Sequence, residues 1–322
     1  MGKSQMRLLA PELIPDSLYD KVRQILRLPE MLACIYRAMI VSHGLIPLSR
    51  SRDPKNPPIG GINKAQTDQH FAQAFDGSVA RTQLALLDPK SDVSSASNAF
   101  IKALSGNKIC IADAPCGAGA SVMSLLATIA ELRLKSVLPR QPLDINIVGA
   151  EISEYARAYA QEIFQKMQGP LSEQGININA QFMSWDVTDQ LSNTALIRQI
   201  TLSSAGSNKT LLVIANFNGF LSQGGKQKKA DPQLSELFRH VSLTESVAIW
   251  IEPAMNAAVS EGGLLHRITN IVQNIMKPWA AVSVNVDSSI PTTSLKYYHP
   301  LEQSEIINVR LALLRINLGR YA

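Results

Sequence analysis

The stretch KICIADAPCGAG, running from Lys108 to Gly119, decides how the rest of the chain is read. It begins as an apolar run of strand length and ends in a turn holding a proline, a cysteine and two glycines. One glycine is enough to turn a chain. Here Gly117 and Gly119 stand beside Ala118 and Ala120, so the whole turn keeps side-chain bulk off its backbone. That pattern implies a close approach to the backbone between Asp113 and Gly119. The following segment, SVMSLLATIAELRLKSVL, reads as a helix whose free N–H groups and positive dipole end face the same space.

Beyond this stretch the chain alternates. INIVGAEIS reads as a strand and EYARAYAQEIFQKMQ as a helix; INAQFMSWDV as a strand, with a helix over Thr194–Ser203. TLLVIANFNGF and DPQLSELFRHVS form the next pair, and SVAIWIEPA and GLLHRITNIVQNIM the last. Strands separated by helices imply right-handed crossovers and a parallel sheet covered on both faces. The chain ends differently, with VSVNV, SLKYYHP and NVRLALLRINL as strands and no long helix between the last two. The predicted fold is α/β: a doubly wound, mostly parallel seven-stranded sheet with an antiparallel C-terminal strand.

The N-terminal third reads as helical. Val22, Ile25, Leu26, Met31, Leu32, Ile35 and Met39 fall mostly on one stripe between Tyr19 and Val41, with Pro29 as a break, and Ala65 to Leu87 is a second helix. SRSRDPKNPPIGG (Ser49–Gly61) reads as a loop, and LDPKSDVSSASNAF is a second cluster of breakers. Residues 1–105 are therefore expected to form a helical extension that acts as a lid or substrate-binding part, and residues 106–322 the ligand-binding domain.

With 46% hydrophobic and 18% charged residues among 322, the chain can bury a large core, and wholesale disorder is excluded. The net charge is +5. Residues 1–105 hold 13 Lys/Arg against 9 Asp/Glu and the remainder 18 against 17, so the surplus lies in the first third but is scattered. The longest apolar runs fall short of the ~20 residues a membrane helix needs, so no membrane is expected. The N-terminus lacks a signal-peptide core, and Cys34, Cys110 and Cys116 show neither metal spacing nor an even framework. The expected compartment is the cytoplasm. The five histidines are dispersed, and no metal site is expected. Oligomeric state is not legible.

Two nucleotide motifs fail at the glycine turn. A dinucleotide fingerprint needs glycine at 122, which is Val122; a P-loop needs lysine after its last glycine, where Ala120 stands. Asp113-x-x-x-Gly117-x-Gly119 instead resembles motif I of the class I S-adenosylmethionine (AdoMet)-dependent methyltransferases. The resemblance covers about residues 100–322 and implies AdoMet as cofactor. It implies that the Asp113-Ala114-Pro115 corner and the two glycines line the methionine part, with Asp113 organising the turn around its amino group. Glu151, followed by Ile152, would accept hydrogen bonds from both ribose hydroxyls, and Trp185–Asp186 would lie near the adenine. Asn216-Phe217-Asn218 would occupy the position of motif IV, facing the transferred methyl, with Asn216 and Asn218 orienting the acceptor. The crossover before Glu151, lengthened by LKSVLPRQPLD, departs from the family's usual spacing.

The Asp-Ala-Pro-Cys of this turn is similar to one that RNA cytosine-5 methyltransferases carry on their fourth strand. Here it follows the first strand, so Cys116 is expected to be a small turn residue. The prolines of the amino-methylating motif are missing after Asn216. A small-molecule acceptor and RNA both stay open; Tyr155, Phe217 and Phe220 suit the first, and the basic third together with the IEP at the fifth strand the second. The alternative from another class is a methyltransferase-fold partner subunit without turnover of its own. Glu252 and Pro253 read as a substrate rim or a strand cap, KQKK (Lys226–Lys229) as a solvated loop, and His70 as part of the segment that could close over the cleft.

Overall fold

The structure is a computed structural model that describes residues 7–53, 58, 60–207, 209–222, 225–241, 245–254, 263, 265–270 and 290–318. Among them nine strands form one sheet: β1 (Tyr19–Asp20), β2 (Ile25–Leu26), β3 (Asn107–Asp113), β4 (Leu143–Ala150), β5 (Ile176–Met183), β6 (Thr210–Ala215), β7 (Val247–Glu252), β8 (Thr292–Tyr298) and β9 (Ile306–Asn317). The spatial order is β1-β2-β8-β9-β7-β6-β3-β4-β5. β3, β4, β5, β6 and β7 are parallel neighbours, and β9 runs antiparallel between β7 and β8. Seven of the strand segments read from the sequence are present in an α/β fold, and β1 and β2 extend the sheet to nine. The VSVNV segment lies outside the described residues.

From β3 the chain winds outward twice, first to β4 and β5 and then back to β6 and β7 on the other side. The switch falls between β3 and β6, and a doubly wound sheet has its crevice outside the strand carboxyl ends at such a point. Strand side chains alternate between two cores. Ile109, Ile111, Leu211, Val213, Ile249 and Ile251 enter one; Cys110, Ala112, Leu212, Ile214, Ala248 and Trp250 enter the other.

The first core is covered by α1 (Glu30–Ser42), the short α2 (Ile46–Arg50), α3 (Lys64–Leu87), α4 (Ser94–Ala103), α5 (Ala120–Leu134) and α6 (Glu154–Ser172), and the second by α7 (Gln190–Ser203), the short α8 (Asn218–Leu221) and α9 (Lys226–His240). Residues 265–270 are helical as well, with Leu265 and Ile268 in the second core. α5 is buried from Ala120 to Arg133, because α1, α3 and α6 cover the sides that the sheet does not. A helix apolar all round is one enclosed on all sides. No described helix is long and apolar enough to cross a membrane.

The N-terminal third shares this core. Tyr36 of α1, Phe71 and Phe75 of α3, and Tyr159 of α6 form an aromatic cluster with ring centroids 4.5–5.4 Å apart. Each such buried side chain is worth about 1.5–3 kcal/mol. Residues 19–26, expected as a helix, instead form the β1–β2 hairpin, with β2 parallel to β8 through Ile25 and Lys296. The helical stripe misled because it runs through Asp20 to Arg27, where a turn and a pairing partner 271 residues away, Lys296 against Ile25, decide the backbone. KQKK, expected as a loop, opens α9, and Lys226 sits 3.7 Å over the Phe220 ring.

Candidate functional site

β3 delivers Asp113 to the switch point, where its side chain is fully buried and both carboxylate oxygens lack a hydrogen-bond partner. Burial pushes this carboxyl up to about 8; the Val122 N–H, which faces it without closing a hydrogen bond, opposes the rise, and the nearby Glu151 carboxylate adds to it. A buried acid without partners is costly, and such groups in native proteins call for an explanation.

The turn after it is tied on both sides. The Cys116 N–H donates to Ala150 O (2.9 Å), the Gly119 N–H to Cys116 O (2.7 Å) and the Gly117 N–H to Glu151 Oε2 (3.1 Å). Both glycines have left-handed backbones, with φ of +51° and +81°. They differ in surroundings. A Cβ at Gly117 would meet nothing within 4 Å, whereas one at Gly119 would just touch Ala160 and Met123 at 3.4 Å, leaving no room for a larger side chain. Gly117 keeps space open, and Gly119 lets α5 approach α6. The Cys116 thiol is held well above its ordinary value by burial and by the Asp113 and Glu151 charges, so it stays protonated in the turn.

At the end of β4, Glu151 accepts from the Ser153 N–H (2.9 Å) as well as from Gly117. Burial raises its pKa, and these backbone donors oppose the rise. Arg157 donates to the carbonyls of Glu151 and Ile152, fixing the strand exit. The Ser153 hydroxyl caps α6 and stands 3.0 Å from the Thr67 hydroxyl of α3. Residues 62–68 therefore border the β4 end, and the Tyr159 hydroxyl fastens them by donating to Asp68 (2.7 Å).

Beyond β5, Trp185 is buried in the second core, donating from its indole N–H to Asn193 Oδ1 (3.3 Å), with its ring 5.9 Å from Phe217. Asp186 is engaged in the turn toward α7, accepting from the Thr188 N–H (2.8 Å) and hydroxyl (2.7 Å).

β6 ends one hydrogen bond from Asp113, since the Ala114 N–H donates to Val213 O (3.1 Å). Asn216 follows with φ of +56°. Its side-chain amide donates to the Ser78 hydroxyl of α3 (3.1 Å), and its buried Oδ1 has no partner. Glu252, at the end of β7, organises the next two residues. One oxygen, Oε1, accepts from the Phe217 N–H (2.8 Å), the Asn218 N–H (3.2 Å) and the Trp250 indole N–H (2.7 Å). Burial lifts its pKa to about 7 against those three donors.

Asp113, Gly117, Cys116 and Glu151 thus form one knot, and Asn216, Phe217, Asn218 and Glu252 a second, on the adjacent strand β6. The sequence reading gave Glu252 only a rim or capping role, and it missed Ser78 and Arg81 of α3. The available signal was Asp76 and Arg81 standing among Phe71, Phe75, Val79 and Leu84 in one helical run, where a charge implies a buried partner or a ligand.

No family model matches this chain, and no curated protein matches it. Among solved structures it is similar to the rRNA methyltransferase aviRa from Streptomyces viridochromogenes, at 11% identity over 74% of this chain and 85% of that one, with a TM-score of 0.34. It is also similar to a loganic acid methyltransferase with SAH, at 8% identity over 81% of this chain and 99% of that one, with a TM-score of 0.36. Both are distant in sequence and loose in superposition.

Proposed function

We propose that this chain is an AdoMet-dependent methyltransferase acting on a small molecule in a reducing, cytoplasmic compartment. The observation that carries the reading is Asp113, a fully buried acid with two unpartnered oxygens beside a glycine whose side-chain position is open. These residues fit the cofactor. A cationic amino group would satisfy Asp113 and return its carboxyl to the ionised form, and Glu151 has carboxylate capacity left for a pair of ribose hydroxyls. The open side of Gly117 leaves room for the chain between them. Trp185 with Asp186 would border the adenine end.

AdoMet supplies a methyl group on a sulfonium, displaced in line with a neutral leaving group. The protein's task is then to hold the acceptor in line and to keep water away. Asn216 and Asn218 would orient the acceptor, and Glu252 positions both by gripping their backbone turn. α3 covers this end through Ser78, which is what supports a lid-like role for the N-terminal third and favours a small acceptor over RNA.

The test is calorimetric titration with AdoMet. The wild-type protein should bind, and Glu151→Ala should bind about 1.5–3 kcal/mol more weakly, with Glu151→Gln intermediate. Absence of binding to the wild type would overturn the proposal. Binding with no methyl transfer to any acceptor pool would favour a partner subunit.

A further inference from the structure

Thr67, His70, Ser78 and Arg81 share one face of α3, being three, eight and three residues apart. Thr67 and Ser78 have partners in Ser153 and Asn216. Arg81 has no such balance. Its Nη2 donates to the Ser78 hydroxyl (3.2 Å), and its Nε is buried without a hydrogen bond. Among the described residues no carboxylate oxygen lies within ion-pair distance of it. The neighbouring Arg52 shows the contrast, since Asp76 accepts from it at 2.9 Å and from the Tyr297 hydroxyl at 2.8 Å through the same oxygen. Burial lowers the Arg81 pKa; Tyr297 and the Glu252 and Asp76 carboxyls oppose the drop without reaching it as ion pairs, and the Arg52 charge reinforces it.

A half-buried guanidinium that touches no carboxylate and has an orphaned Nε is incomplete until an anion meets it. The surrounding groups suit one. Asn216, bonded to the same Ser78 hydroxyl, stands at the β6 end. His70 is kept neutral, its pKa pulled down to about 4 by burial and then by Arg81, so its ring retains one N–H donor near neutral pH.

We propose that Arg81 anchors a carboxylate group of the methyl acceptor, with His70 and Asn216 beside it. The inference rests on the methyltransferase reading. A carboxylate is favoured over a phosphoryl group because a single guanidinium is on offer, Glu252 and Asp76 already set negative charge near it, and Arg52 is committed to Asp76. The geometry of the guanidinium agrees, since Nε and an Nη present parallel donors to two oxygens of one planar group.

The experiment compares full-length wild type with Arg81→Met and Arg81→Gln, using sodium formate as the probe against sodium chloride at equal ionic strength. Formate should raise the melting temperature of the wild type saturably, by about 2 °C at ten times its Kd, and should leave both variants unmoved. In chloride, both variants should still unfold in one cooperative transition, so that a lost formate response is not a lost fold. An equal formate response in all three proteins, or none in the wild type, would overturn the site. A larger response to inorganic phosphate than to formate would overturn the choice of carboxylate. AdoMet affinity should be the same in wild type and variants, and its loss on changing Arg81 would overturn the assignment to the acceptor. A formate response without AdoMet binding in any of them would defeat the methyltransferase reading and leave only an anion site.

Discussion

Asp113→Asn should make folding stability less dependent on pH, and the size of the effect can be worked from the site. The carboxyl rises from an ordinary 3.8 to about 8 because it is buried, with Glu151 adding to the shift. Between those values the folded protein holds a proton that the unfolded chain has lost. Stability contributed by this group is therefore complete below pH 4, falls as pH rises, and levels off above about pH 8. At about 1.4 kcal/mol per pH unit, the wild type should lose on the order of 4 kcal/mol relative to Asp113→Asn between pH 5 and pH 8. The amide brings a separate cost, because its N–H donors are also buried without partners, but that offset does not vary with pH. Glu252 titrates in both proteins and cancels from the comparison, and Glu151, which is coupled to Asp113, enters the gap only where both carboxyls ionise. Urea unfolding at four pH values, followed by tryptophan fluorescence and circular dichroism, measures the gap. A gap that stays constant from pH 5 to pH 8 would refute the reasoning, since it would mean that Asp113 is ionised in the folded protein. With AdoMet bound, the same carboxyl should ionise, so titrations at pH 7 in buffers of different ionisation enthalpy should register proton release that Asp113→Asn lacks.

The two glycines of the turn should separate. Gly117→Val is expected to abolish AdoMet binding while costing about 1–2 kcal/mol of backbone strain, whereas Gly119→Val should also disturb the α5–α6 packing and melt lower still; unchanged AdoMet affinity in Gly117→Val would count against the cofactor site. Glu252→Ala leaves the Trp250, Phe217 and Asn218 donors without their acceptor and should destabilise by on the order of 3 kcal/mol, while Glu252→Gln should recover most of the loss. Equal melting temperatures for the two variants would show that the oxygen is not the organising atom. A chain beginning at residue 106 should fail to fold cooperatively, because Tyr36, Phe71, Phe75 and Val79 belong to the core that encloses α5; a sharp thermal transition and AdoMet binding by that fragment would contradict the shared core.

The parallel half of the fold was legible because each of its strands is a short apolar run followed by a helix, and that alternation admits few topologies. Strand ends were legible for the same reason: Asp113, Glu151 and Asn216 stand where apolar runs stop. What the sequence hid was long-range. The β1–β2 hairpin exists only because β8 offers an edge 271 residues away, so a local helical stripe outweighed it in the reading. Glu252 looked like a cap because nothing near it in sequence tells that Phe217 and Asn218 return to its side chain. The N-terminal third looked separable because a breaker-rich stretch precedes β3. In the structure that stretch forms α4, whose Ala96, Phe100 and Ile101 enter the common core.

The helix α3 touches both knots of the site with one rigid body. Thr67 meets Ser153 next to Glu151, and Ser78, eleven residues and three turns later, meets Asn216. At about 1.5 Å per residue, those two contacts lie some 16 Å apart along the axis, with no loop between them to absorb a change. α3 is therefore a ruler. On the proposed methyltransferase reading it would fix the separation of the two ends of the cleft, so acceptors of different size would be met by exchanging side chains along its inner stripe. Changing its length would not serve, because one inserted residue would turn Ser78 and Arg81 through about 100° and away from the strands.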